Sequence, residues 1–326
     1  MKVFAATKRR LFIALVVAFL AGWAHHRRNS WDKNLSSLEK DLLSSSPSKS
    51  SRSHQEHQSW EELPPVVRRY LGQVLGDIDR KGQAAIINEE STRIRSLRIH
   101  QQGLFALNNE TWLNFTATQT IGAENVGFVW DATMPLFATG LVGFAAPSIR
   151  VYDALVNGKA YLVPSLLGII PFPTGMNDKN TTLQSLHFLG ELQRWLTEAA
   201  LVPSVLFPQA EMVSWEAIPD EPQRAILSVV EPESGIKASA ELSFEAIEGV
   251  SVISKVICMR PYGQEKEFPL KPWVGYFFNY QREAGVLVPT YMEAGWINAE
   301  KGEQLYFKGH ITQFNFTFAS PLPDVS

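Results

Sequence analysis

Two aspartates, Asp131 and Asp153, are the side chains best placed by type and spacing to do chemistry. Each lies inside a predicted strand beside a large ring, Trp130 or Tyr152, and the two strands are consecutive along the chain. Two carboxylates on adjacent strands can serve as the acid and base of a hydrolase. A structural role, as a buried ion pair or a charge on the wet face, is the favoured interpretation of the same residues, because buried carboxylates need partners to be tolerated.

The rest of the chain carries no recognisable catalytic signature. His100, His187 and His310 are too far apart in sequence to indicate a triad. The single cysteine, Cys258, lies in an alternating apolar segment and is expected to be a small core residue. Neither a nucleotide-binding glycine pattern nor metal-ligand spacing occurs, so the sequence predicts no cofactor and no metal, and it favours binding over catalysis.

Period-two patterns dominate the segments that would position these residues. Residues 236–246 alternate apolar and charged side chains, which is typical of a strand with one wet face. Asn157-Gly158 predicts a hairpin. Helical stripes occupy residues 66–75, after two prolines, and 183–201. The predicted fold is therefore α+β: a strongly curved antiparallel sheet or open half-barrel of about 10–12 strands, with two or more helices packed on or in it.

An N-terminal membrane segment precedes this body. Lys8, Arg9 and Arg10 are followed by fourteen apolar or small residues, 11–24. The run is shorter than the ~20 residues of a full span and fits either a signal peptide cleaved after Ala24 or a retained signal-anchor. The basic flank predicts a cytoplasmic N-terminus and an extracytoplasmic body, so the protein is single-pass, or secreted if cleaved.

The domain boundaries follow from composition. Residues 1–28 form the signal segment, 29–60 a Ser-rich flexible tether, 61–320 a single body and 321–326 a tail. Helical spacing of Trp31, Leu35, Leu38 and Leu42 also allows a short amphipathic segment within the tether. From residue 60 onward the chain holds twenty Lys and Arg against twenty-nine Asp and Glu, which argues against nucleic-acid binding.

Large rings and glycine-containing apolar segments suggest where an apolar ligand would bind. The segment 162–172 is apolar and poorly periodic, as expected of a rim around a cavity. Ordinary core packing is the alternative. The candidate cavity residues are Phe128, Trp130, Leu166, Leu167, Ile169 and Trp195.

A run of motifs along the body resembles a known family. The motifs are LPPVVRRYLGQVL (63–75), GFVWDATM (127–134), RVYDALVNGKAYLVPSLLGIIPF (150–172), GELQRWLTEAALVPSVLFP (190–208), VSWEAI (213–218), KPWVGYFFNYQREAGVLVPTYMEAGW (271–296) and FKGHITQFNF (307–316). Their order resembles a widespread bacterial family known only as a domain of unknown function, which supplies no catalytic residues. The architecture is similar to that of the lipoprotein-carrier superfamily, whose open half-barrels carry lipid-linked cargo.

Three functions are consistent with the sequence. The favoured one is a membrane-tethered extracytoplasmic binding protein for a lipid or lipid-linked ligand. The second is an envelope hydrolase using Asp131 and Asp153, which requires both carboxylates in one cleft. The third is a structural envelope interaction domain, which would present an exposed apolar patch on its outer surface.

Overall fold

Thirteen strands in one antiparallel sheet, together with three α-helices, make up the part of the chain that the computed structural model describes. That part comprises residues 2–44, 58–75, 94–107, 111–136, 147–172, 181–208, 212–231, 234–262 and 268–318, with side chains from residue 22 onward. The helices are α1 (Lys2–Ser44), α2 (Pro65–Val74) and α3 (Thr181–Thr197). The strands are β1 (Ile94–Ala106), β2 (Trp112–Gly122), β3 (Gly127–Pro135), β4 (Ser148–Val156), β5 (Lys159–Leu166), β6 (Ile170–Pro171), β7 (Val213–Ala217), β8 (Arg224–Val230), β9 (Lys237–Ile247), β10 (Val250–Pro261), β11 (Leu270–Glu283), β12 (Val286–Asn298) and β13 (Gly302–Phe318).

The sheet is open. Its strand order is β6-β5-β4-β3-β2-β1-β13-β12-β11-β10-β9-β8-β7, and its two edges, β6 and β7, do not pair with each other. The predicted antiparallel sheet is thus confirmed, with thirteen strands instead of 10–12. The predicted hairpin is also present, because Asn157 and Gly158 connect β4 to β5 with φ angles of 49° and 66°.

Helix α3 shows how far the sheet bends. It contacts β3, β4 and β5 on one flank and β9 and β10 on the other. Strands β4 and β10 are seven strand spacings apart, which is about 34 Å in a flat sheet. A helix lying across a flat sheet would also contact the strands between them, and within the described residues α3 has no comparable contacts with β1, β13, β12 or β11. The sheet must therefore curve around α3. We call the face that holds α2 and α3 the concave face.

Both helices on the concave face belong to one continuous hydrophobic core. In α2, Pro65 occupies the first turn, and the stripe of Val66, Val67, Tyr70 and Leu71 is buried against the sheet. The apolar side of α3, with Leu192, Trp195 and Leu196, joins the same core. The predicted helical stripes therefore pack on the inner side of the sheet.

Helix α1 lies on the opposite, convex face and differs from the prediction. Trp31, Leu35 and Leu42 are buried against Val129 and Tyr152 of β3 and β4. Residues 29–44 are therefore not a flexible tether, because their apolar stripe finds an apolar outer face of the sheet to cover. Residues 45–57 of the predicted tether and the predicted tail, 321–326, lie outside the described residues. The last three tether residues, 58–60, are described, and Gln58 donates to the Trp215 carbonyl at 2.8 Å.

Polar contacts fix α1 on the convex face. Arg150 pairs with Asp32 at 3.1 Å and stacks over the Trp31 ring at 5.2 Å. Glu39 accepts hydrogen bonds from Arg98 at 2.9 Å and from Thr120 at 3.0 Å. The helix is continuous from Lys2 to Ser44, so the predicted membrane segment and the docked segment share one helix. In the described part of the chain, no helix combines the length and hydropathy that a membrane crossing requires.

Candidate ligand-binding site

Four ionisable residues form a polar stripe along α3 and the turn that follows it. His187, Glu191, Arg194 and Glu198 are spaced i, i+4, i+7 and i+11, which places them on one side of the helix. On most surface helices such a stripe would face water. Here it faces the concave side of β2–β4, because the sheet curves around the helix.

Arg194 is the centre of this stripe. Its guanidinium donates to Glu198 Oε1 at 2.9 Å and to Asp153 Oδ2 on β4 at 2.5 Å. It also lies over the rings of Phe128, at 4.5 Å from the centroid, and Trp130, at 5.2 Å. Burial alone would lower the pKa of Arg194, but the carboxylates of Glu198 and Asp153 hold that pKa above its ordinary value. Arg194 is therefore a fixed positive charge on an aromatic floor.

A chain of hydrogen bonds links Glu198 to the strands. Gln119 on β2 donates to Glu198 Oε2 at 2.5 Å, and Gln101 on β1 donates to Gln119 Oε1 at 3.4 Å. The Trp130 indole N–H then donates to Gln101 Oε1 at 3.0 Å. Both glutamines are buried, so this network fixes the rings and charges of the C-terminal half of α3 in one arrangement.

Near the N-terminal half of α3, some buried polar side-chain atoms have no hydrogen-bond partner among the described residues. Glu191 is 8% exposed, and its Oε1 lies 3.6 Å from His187 Nε2. Arg260 on β10 donates to the Gly190 carbonyl at 2.8 Å and lies over the Trp273 ring at 5.1 Å. Among the described residues, nothing hydrogen-bonds Glu191 Oε2, Asp153 Oδ1 or Arg260 Nε. Buried polar atoms without partners are uncommon in folded proteins, and a water molecule or a ligand group would satisfy those in this site.

Burial determines the direction of the pKa shifts of Glu191 and His187 on the N-terminal half of α3. Burial, and secondarily the Asp153 carboxylate, raise the pKa of Glu191 from 4.5 to about 8. Burial also lowers the pKa of His187 below 6.5, although Asp153 partly opposes this shift. At neutral pH the site therefore holds a protonated Glu191 and a neutral His187.

The two predicted candidate catalytic residues do not meet. Asp131 is paired with Tyr152, and Asp153 with Trp130, so adjacent strands turn the two carboxylates to opposite faces. Asp131 lies on the convex face, where Arg150 donates to both of its oxygens at 3.1 and 2.8 Å. Asp153 lies on the concave face beside Arg194. They cannot form an acid/base pair, and each has the structural ion-pair partner that the alternative interpretation required.

The predicted cavity residues separate into two groups. Phe128, Trp130 and Trp195 are in the core of the concave face, where the Trp195 indole donates to the Gly122 carbonyl at 3.0 Å. Leu166 ends β5, and Leu167 and Ile169 form the turn to β6 at the sheet edge; all three are half-buried. The structure thus places the three aromatic residues in the core of the concave face and the three aliphatic residues near one edge of the same sheet.

Sequence reasoning missed Glu191, Arg194, Glu198 and Arg260. Their spacing on α3 was visible, but charged residues on a helix are ordinarily exposed, and burial here depends on the curvature of a distant part of the sheet.

Other potentially reactive side chains lie away from this site or are inert. Burial raises the pKa of the Cys258 thiol to about 11, as expected for a core cysteine. No three His, Cys, Asp or Glu side chains in the described ranges are grouped closely enough to hold a metal ion.

Comparison with known proteins places the chain in a family. The model of a family of unknown function, DUF6920, matches residues 61–316. The chain belongs to this family. No curated protein sequence matches it significantly.

One matching solved structure is the crystal structure of a LolA superfamily protein from Nitrosomonas europaea. It is 10% identical, and the match covers 71% of this chain and 92% of that chain with a TM-score of 0.31. A likeness of this size supports no conclusion about ligand or mechanism.

Proposed function

We propose that this protein is a membrane-tethered, extracytoplasmic binding protein for an amphipathic lipid or lipid-linked ligand, which it holds on the concave face beside α3. The polar end of the ligand meets the charged stripe of α3. Its apolar end lies along the neighbouring strands.

The observation that carries this proposal is a half-buried apolar strip that leads to the charged stripe. Ile149 and Val151 precede Asp153 at alternate positions on β4, so they share its concave face. Their partners on β5 are Leu166 and Pro164, whose side chains point the same way. All four are half-buried. Apolar surface beside a few convergent polar groups is the usual character of a small-molecule site.

Membrane attachment through residues 11–24 is the second part of the proposal. The apolar run after Lys8–Arg10 supports it, with those basic residues snorkelling toward the headgroups. Trp31 lies seven positions after Ala24, which is about 10 Å along a helix. Since Trp31 is docked on the convex face, the anchor would hold the body close to the bilayer at a fixed distance. This geometry replaces the loose tether that the Ser-rich composition suggested.

Native mass spectrometry of the full-length chain, extracted in a mild detergent, tests the proposal. We expect an adduct with the mass of one amphipathic molecule. The variant Leu166→Asn should reduce the adduct several-fold by making the apolar strip polar. Ile247→Asn, which alters an exposed aliphatic residue at the end of β9, is the matched control and should retain it. A wild-type protein that carries no adduct and takes up none from added lipid would contradict the proposal.

An aromatic row on the convex face favours the interaction-domain alternative as a second candidate. Tyr276, Phe278, Tyr291 and His310 lie side by side, with successive ring centroids 6.1, 5.8 and 4.3 Å apart. Phe278 is 39% exposed. Sedimentation of the wild type as a dimer, with Phe278→Lys a monomer and no adduct in either, would support this candidate instead.

A further inference from the structure

The α3 stripe and the strands that face it hold one carboxyl group more than guanidinium groups. Asp153, Glu191 and Glu198 provide three carboxyl groups, and Arg194 and Arg260 provide two guanidinium groups. Glu198 is fully engaged by Arg194 and Gln119. The oxygens without partners among the described residues, Glu191 Oε2 and Asp153 Oδ1, belong to the other two carboxyl groups.

We propose that these two oxygens receive the ammonium group of the amphipathic ligand. This inference rests on the proposed function and names the ligand class of the same site. The exchange is balanced: the ligand ammonium enters with one positive charge, the Glu191 carboxyl becomes a carboxylate in place, and its proton is released into solvent. After binding, three carboxylates face two guanidinium groups and one ammonium.

The charges around Glu191 favour a cation over an anion. A phosphate or carboxylate head would lie against Asp153 and Glu198, and Arg194 is already held by those two carboxylates. Arg260 donates to the Gly190 carbonyl and lies over the Trp273 ring, and only its Nε–H has no partner among the described residues. The carboxyl oxygens without partners, Glu191 Oε2 and Asp153 Oδ1, outnumber this one N–H. Titratable or charged groups face Glu191 from three elements. Helix α3 and the turn after it contribute His187, Arg194 and Glu198. Strand β4 contributes Asp153, and β10 contributes Arg260.

The cation is organic and not a metal ion. In the described part of the chain, these carboxyl groups are not arranged as a set of metal ligands. An ammonium group needs only two or three acceptors around it. Its alkyl chain would continue along Val151 and Ile149, which lead from Asp153 toward the start of β4 on the same face. The position of the polar and apolar surfaces therefore matches an alkylammonium group.

Isothermal titration of the full-length chain at pH 7 with hexylammonium, hexanol and hexanoate tests this inference. Paired buffers of different ionisation enthalpy report the protons released. We expect hexylammonium to bind at least tenfold more tightly than hexanol, with nearly one proton released for each molecule bound. Glu191→Gln should abolish both the advantage and the proton release while retaining hexanol binding. Glu245→Gln, an exposed carboxyl on β9, is the matched control and should behave as the wild type.

Other results of this titration would contradict the ammonium site. Hexanol binding as tightly as hexylammonium, or hexylammonium binding without proton release, overturns the ammonium site while leaving the proposed function intact. Preference for hexanoate overturns it in favour of an anionic head. If none of the three binds, both the ammonium site and the proposed function fail. The proton count is measured on the wild type, so the test does not depend on the variant folding.

Discussion

Replacing Glu191 by glutamine should change the pH dependence of stability in a specific direction. Glu191 has a pKa of about 8 in the folded protein, against 4.5 when unfolded. Between these values the native state binds a proton that the unfolded state has released. The contribution of this group to stability is therefore complete below pH 4.5 and is lost as the pH rises through about 8.

The size of the effect follows from that window. A pKa shift of one unit corresponds to ~1.4 kcal/mol, so ionisation of Glu191 removes about 1 kcal/mol from the free energy of unfolding between pH 7 and pH 8. His187, whose pKa is lowered, acts in the opposite sense, and most of its contribution falls near and below pH 6.5. Comparing pH 7 with pH 8 therefore isolates Glu191.

The assay is thermal unfolding of the full-length chain in a nonionic detergent, followed by tryptophan fluorescence at pH 7 and pH 8. For a body of this size, 1 kcal/mol corresponds to a change in Tm of roughly 2–4 °C. We expect the wild type and Glu245→Gln to lose this amount, and Glu191→Gln to lose less than half of it. Equal losses in all three proteins would refute the assignment of Glu191 as a buried, protonated carboxyl group.

Other substitutions test the packing. Leu42→Ala should lower the free energy of unfolding by about 2–4 kcal/mol, because Leu42, on the sheet-facing side of α1, is 1% exposed. Replacing its exposed neighbour, Leu43→Ala, should change the free energy of unfolding by less than about 0.5 kcal/mol. Tyr70→Phe should be neutral or stabilising in urea denaturation, since its buried hydroxyl has no partner among the described residues. Gly103→Ala should strongly reduce soluble yield, because an added Cβ would lie 1.9 Å from the Lys308 carbonyl oxygen; normal yields would contradict the close pairing of β1 with β13.

Much of the sheet was predictable because its signals are local. The alternation in β9 and the Asn157-Gly158 turn each depend on neighbouring residues only, and both are present as predicted. The α2 stripe was predictable for the same reason. Strand β6, with two residues, is too short to produce a pattern of its own.

The docking of α1 could not be decided from local pattern. The spacing of Trp31, Leu35 and Leu42 was visible, but the Ser-rich context favoured disorder. What stabilises the segment is the apolar outer face of β3 and β4, including Val129 and Tyr152. Pairing a helical stripe with a remote strand face requires the topology of the sheet.

The candidate site was hidden for a related reason. Asp153 was singled out as one half of an acid/base pair with Asp131 on the adjacent strand, but the group that it contacts is Arg194 on α3. Glu191 and Arg260 become neighbours only after β10 and α3 have been brought together by the curvature of the sheet. Contacts between residues 70 positions apart leave no periodic signal in the sequence.

Photolabelling measures most directly where the ligand binds. The full-length chain would be labelled with an alkylamine that carries a diazirine at the end of its chain, and the modified peptides mapped by mass spectrometry. The account predicts labelling of β4 and β5 near Ile149 and Leu166, on the concave face, and competition by hexylammonium. Labelling confined to the convex aromatic row around Phe278, or to residues 11–24, would contradict it.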